Sequence, residues 1–114
     1  VGIGTTAPNS TLHVAGSQTV KRTATAIDYT ILASDYYIGV TSTAAARIIT
    51  LPAAATAAIG KVYIIKDESG GAATNNITID GNAAETIDGA ATKVINANYG
   101  SVQIITDGSN WFSF

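Results

Sequence analysis

Cysteine and methionine are both absent from this chain. Without thiols, no disulfide framework can staple the fold and no thiolate can ligate a metal. A chain with neither oxidisable sulfur side chain suits a long-lived extracellular protein. Charge is scarce too: six Lys/Arg and eight Asp/Glu make up 12% of 114 residues, for a net charge of −2. Protein surfaces usually carry about a quarter to a third charged residues. Thr, Ser and Asn must therefore cover much of this surface, or part of it is buried against copies of the chain. The cations are scattered, so there is no basic stripe to neutralise phosphates and no nucleic-acid partner is expected. No stretch nears the roughly 20 apolar residues of a membrane-spanning helix, so no membrane insertion is expected.

What the chain does have is a series of short β-rich runs punctuated by Gly, Asp, Asn, Ser and Pro. Candidate strands are Thr11–Ala15, Thr19–Ala24, Tyr29–Ala33, Tyr36–Thr41, Arg47–Leu51, Lys61–Lys66, Asn76–Asp80, Glu85–Asp88, Thr92–Asn96, Ser101–Thr106 and Asn110–Phe114. Their Ile, Val, Thr and Tyr side chains pack well on a pleated surface. The pattern predicts an all-β fold, an antiparallel β-sandwich or β-prism-like module. Asp80-Gly81, Asp88-Gly89 and Asp107-Gly108 place Gly where a turn often needs positive φ. Asp107–Asn110 reads as a hairpin loop, and Glu68–Gly71 as a more flexible one. Ala53–Ala58 follows Pro52 and is stopped by Gly60, which leaves room for one helical turn. Thr78–Gly81 recurs as Thr86–Gly89. Two similar hairpin edges are the favoured reading, with two rungs of a short solenoid the alternative.

Two strands are apolar on both faces. Val62 and Ile64 oppose Tyr63 and Ile65, and Ile48 opposes Ile49 and Leu51. Such strands are covered on both sides, either as central strands of one domain or by another subunit.

Residues 1–16 look different from the rest. In Val1-Gly2-Ile3-Gly4, glycines alternate with apolar side chains that point one way, and glycine permits close backbone approach, as at a symmetry axis. Leu12 and Val14 share a face, Pro8-Asn9 makes a turn, and Ala15–Gln18 acts as a linker. This segment has too little core of its own and is expected to pack on other subunits through Val1, Ile3, Leu12 and Val14. Residues 17–114 form the all-β globular module. The first residue is Val, as expected of a processed product or an excised fragment.

The string VGIGTTAPNSTLHVAG (residues 1–16) resembles a neck motif of phage tail-fibre and tailspike-like proteins. The downstream strings ILASDYYIGV, ITLPAAA, GKVYIIKDESG, NNITIDG, ETIDGA and YGSVQIITDGSNWF are similar to modules of tail fibres and virion surfaces. The resemblance spans nearly the whole chain. It implies a β-structured fibre segment, usually homotrimeric, extracellular or on a virion surface, and sometimes touching host-surface glycans. The chain carries no intramolecular-chaperone peptidase region, so the resemblance does not imply self-cleavage.

Catalytic groupings are missing. His13, the one histidine, sits between Leu12 and Val14 in the N-terminal segment, where nothing places Ser and an acid beside it. Asp67-Glu68 and the Asp-Gly pairs could supply carboxylates for glycoside hydrolysis, but they lie in turns, where Asp bonds its own backbone. Asp107–Asn110 and Asp80–Asn82 offer oxygens without a calcium-loop pattern. No enzyme, metal or cofactor is expected. Tyr36, Tyr37 and Trp111 are candidate glycan contacts, with core or interface packing as the rival role. The expected function is a structural segment of a homo-oligomeric extracellular fibre. The alternatives are a filament subunit assembled by N-terminal strand exchange and a carbohydrate-binding head.

Overall fold

Alternation of buried and exposed side chains along β-branched runs sets the architecture of the computed structural model, which describes all of residues 1–114. In chain order the elements are β1 (Gly2–Ile3), β2 (His13–Val14), β3 (Arg22–Thr25), β4 (Tyr29–Thr30), β5 (Tyr37–Val40), β6 (Arg47–Thr50), α1 (Ala54–Ala57), β7 (Val62–Asp67), β8 (Ile77–Asp80), β9 (Thr92–Ile95), β10 (Ser101–Thr106) and β11 (Trp111–Ser113). The protein is all-β with one short helix, in several sheets. Strands form at the expected sites except Glu85–Asp88, where Ile87 makes only isolated bridges to Ala90 and Trp111. The short strand β1 lies in the N-terminal segment, which was expected to be a strand-forming β-arm. The predicted helical turn is α1, its first N–H held by the Glu85 carboxylate at 3.0 Å.

A five-stranded sheet has the order β11-β10-β7-β5-β3, and a four-stranded sheet has the order β4-β6-β8-β9. The chain alternates between them, laying β3, β5 and β7 in one sheet and β4, β6 and β8 in the other. Each pass returns in the same direction, so β3-β5-β7 and β4-β6-β8 are parallel ladders. Parallel neighbours need a crossover, and here a strand of the opposite sheet supplies it. Only the later strands reverse, with β9 antiparallel to β8, β10 to β7, and β11 to β10. This corrects the expected antiparallel pairing. Hydrophobic alternation specifies which face a residue takes, not the direction of the neighbouring strand.

One cluster of 16 buried side chains draws on both sheets. The five-stranded sheet contributes Ile38, Val40, Tyr63, Ile65, Ile104 and Trp111, and the four-stranded sheet contributes Ile49, Ile77, Ile79 and Ile95. Period-two burial in β7 puts Tyr63, Ile65 and Asp67 inward and Val62, Ile64 and Lys66 on the half-buried outer face. The repeated Thr-Ile-Asp-Gly strings are not stacked rungs. Ile79 pairs with Ile49 and Lys93 in the sheet, whereas Ile87 starts a tight turn. In that turn Ile87 and Ala90 exchange both backbone hydrogen bonds, and Asp88 and Gly89 have φ of 52° and 82°. Positive φ at both central residues is the hairpin geometry that Asp-Gly favours.

Candidate functional site

The N-terminal arm makes its own small parallel sheet, with Gly2 opposite His13 and Ile3 opposite Val14. His13 N–H donates to the Val1 carbonyl at 2.8 Å and Ala15 N–H to the Ile3 carbonyl at 2.9 Å. The glycine spacing serves the arm itself. A Cβ on Gly2 would lie 2.5 Å from the Thr5 carbonyl oxygen, and one on Gly4 would lie 2.8 Å from that of Ala15. Every hydrogen bond of residues 1–16 stays within that segment. Val1, Ile3 and Leu12 are 78%, 56% and 61% exposed, and Val14 is half-buried.

The acids are tied up in structural bonds. Asp35 is completely buried. Its Oδ1 accepts from Lys21 Nζ and Thr23 Oγ1, both at 2.8 Å, and its Oδ2 from Tyr29 Oη at 2.6 Å and Leu32 N–H at 2.9 Å. Burial pushes this carboxyl up. The hydrogen bonds from Lys21, Tyr29, Leu32 and Thr23 more than reverse that and hold it well below the ordinary range. The same bond to Asp35, with burial and the carboxylate's charge, pushes the Tyr29 hydroxyl up to about 12.

Asp67 is the second buried carboxylate. Oδ1 accepts from Ser69 N–H at 2.9 Å, Ser69 Oγ at 2.7 Å and Gly70 N–H at 3.0 Å, and Oδ2 from Ala72 N–H at 3.0 Å and Tyr99 N–H at 3.1 Å. Against burial, these donors lower its pKa to about 2. The Glu68–Gly71 loop, expected to be flexible, is thus organised by Asp67 and clamped to the β9–β10 connection. The local signal was an Asp two residues before Ser, an Asx-turn pattern. Nothing in the sequence pointed to the Tyr99 contact.

Glu68 lies across Gly39, where a Cβ would collide with it. It pairs with Arg22 and accepts from Tyr37 Oη at 2.8 Å. Asp88 takes the Ser113 N–H at 2.9 Å and the Ser113 hydroxyl, and Asp107 caps its hairpin through Ser109 and Asn110 N–H at 2.9 and 2.8 Å. No three His, Asp or Glu side chains converge on one point.

The aromatic candidates separate. Trp111 is fully buried, 5.6 Å from Tyr63 between ring centroids, and donates Nε1–H to Glu85 at 3.3 Å. It therefore cannot contact a glycan in this fold: it is the largest of the fully buried side chains and packs in the core. Tyr36 and Tyr37 are half-buried, and Tyr37 faces outward beside Ile64. A shallow groove of about 260 Å³ lies elsewhere, lined by Lys93, Ser101, Val102, Gln103, Ser113 and Phe114. It contains none of the residues singled out in the sequence. No helix is long and apolar enough to cross a membrane. No family model matches the chain, and no curated protein matches it in sequence.

Proposed function

We propose that this chain is a structural segment of an extracellular or virion-surface fibre, similar to those of phage tails, and that it works as a homo-oligomer, in the first instance a homotrimer. The arm carries the reading: three large apolar side chains stand in water on a two-stranded element with no hydrogen bond to the rest of the chain. An isolated pair of two-residue strands is at best marginally stable, so the arm gains most from packing on other copies. The carboxylates support a structural role, since the buried ones organise loops. In this reading the two sheets are the layers of a sandwich-like or prism-like shaft, with an overall extent of 50 × 29 × 20 Å. Any contact with a host-surface glycan falls to Tyr36 and Tyr37.

A second reading, a filament built by strand exchange, is favoured by the open edges of β3 and β4, each the edge strand of its sheet. Unpaired edges accept strands from other chains. Native mass spectrometry with electron microscopy separates the two: discrete trimers are expected under the first reading and open polymers under the second. A stable monomer at micromolar concentration would refute both.

A further inference from the structure

We infer that His13 is a pH switch for the N-terminal arm: the neutral ring closes the arm into the form that packs on other copies, and the protonated ring opens it. This rests on the oligomeric reading above and adds its regulation. The connection from β1 to β2 runs through residues 4–12, and one hydrogen bond ties it back onto β2. Asn9 N–H, just after Pro8, donates to His13 Nδ1 at 3.3 Å. The other side-chain bonds of the connection close within it, Ala7 N–H to Thr5 Oγ1 at 3.1 Å and Ser10 Oγ to the Leu12 carbonyl at 2.6 Å.

A neutral imidazole accepts at Nδ1 because its proton sits on Nε2. A protonated one carries N–H on both nitrogens and has no lone pair left for Asn9. Two donors then face each other, and either the ring or the turn has to move. Little else resists. The ladder of the arm consists of His13 N–H to the Val1 carbonyl and Ala15 N–H to the Ile3 carbonyl, on strands too short to be stable alone.

Charge works in the same direction. Residues 1–16 contain no Lys, Arg, Asp or Glu. The one other charge in the segment is the Val1 amino group, also a cation, which donates to the Thr11 carbonyl. No charged side chain of the body bonds to the arm, and the nearest in sequence, Lys21 and Arg22, are cations already paired with Asp35 and Glu68. A protonated His13 therefore gains no carboxylate partner. It is half-buried between Leu12 and Val14, so arms gathered on one another would bring like charges together in apolar surroundings. Burying an unpaired charge costs more than losing a bond between neutral groups. Histidine is also the one side chain that ordinarily changes charge between pH 5 and 8, and this chain has a single one.

Two measurements on the full chain test this between pH 7.5 and 5.5. The buried carboxylates Asp35 and Asp67 are held below the ordinary range and stay ionised at both values, so the body does not change. Nitrogen-15 NMR follows the His13 ring and the Asn9 amide, and the amide is expected to shift with the midpoint of the ring. Light-scattering mass on dilution is expected to show half-dissociation at a concentration about tenfold higher at pH 5.5. His13→Gln stays neutral and keeps an acceptor oxygen, so its dissociation should not depend on pH. His13→Lys carries the charge throughout and should dissociate readily at both values. An Asn9 amide that ignores the ring overturns the switch, as does a His13→Gln protein that keeps the pH dependence of its parent. A parent that is monomeric at both pH values overturns the oligomeric reading instead, and the Asn9 titration then decides the switch by itself.

Discussion

Asp67→Asn is a stringent test of how this fold is held. The carboxylate is fully buried, and its two oxygens divide five donors: three on Oδ1, and the Ala72 and Tyr99 N–H groups on Oδ2. An amide keeps one acceptor oxygen. Whichever way it turns, its NH₂ must face at least two N–H groups, which lose their acceptor in a site closed to water. Each buried donor left unpaired costs about 1–3 kcal/mol, and the surviving bonds lose their charge assistance. The expected destabilisation is therefore about 4 kcal/mol, a large share of the roughly 5–15 kcal/mol that holds a domain of this size. Thermal unfolding by circular dichroism, at fixed protein concentration, should read this as a melting temperature about 15 °C lower.

The acid limb provides an independent check. The folded pKa lies below the ordinary value, so the stability Asp67 contributes is fully present above pH 3.8 and is lost as pH falls toward about 2. Asn at this position should remove that part of the acid dependence. A variant destabilised by less than about 1 kcal/mol would show that the loop does not depend on these bonds.

Other outcomes follow from the same contacts. Trp111→Ala removes the largest core side chain and should cost about 3–5 kcal/mol in chemical denaturation; a loss under about 1 kcal/mol would mean that its ring is not packed in the core. Asp35→Asn should speed hydrogen exchange in residues 21–32 far more than in β9–β11, because its four donors all lie in residues 21–32. Since the Asp35 carboxyl is held below its ordinary pKa, the parent protein should lose the structure of residues 21–32 selectively as pH falls below the carboxylate range. Gly89→Ala should lower stability by about 1 kcal/mol through backbone strain alone, since φ is +82° and no atom lies within 4 Å of the added Cβ. Deleting residues 1–16 should leave the melting temperature of the dissociated chain unchanged while reducing self-association.

Strand positions were legible in the sequence because they depend on neighbours. Stiff β-branched side chains, Asp-Gly turns and Pro52 ahead of an alanine run act within a few residues. Thus β5, β6, β8, β10 and α1 lie within the runs that predicted them, and β7 runs one residue beyond its run, to Asp67. The division of β7 into two faces was legible for the same reason, since side-chain direction has a period of two, but which face turns inward was not.

Strand direction was not legible, because pairing joins residues far apart in the chain. Arg22 pairs with Tyr37, and Tyr37 with Ile64, and the same alternation would serve either direction. The fate of individual polar and aromatic groups was equally non-local. Trp111 could have been a surface ring until Tyr63 and Glu85 closed around it. Asp67 read as a turn residue, and only the return of the chain at Tyr99 made it a clamp between two loops. Sequence therefore determined where this protein forms strands and which side chains share a face. Tertiary structure decided how the strands pair, which acids are consumed in tying loops and strands together, and which rings are buried, because those outcomes depend on segments meeting across the core.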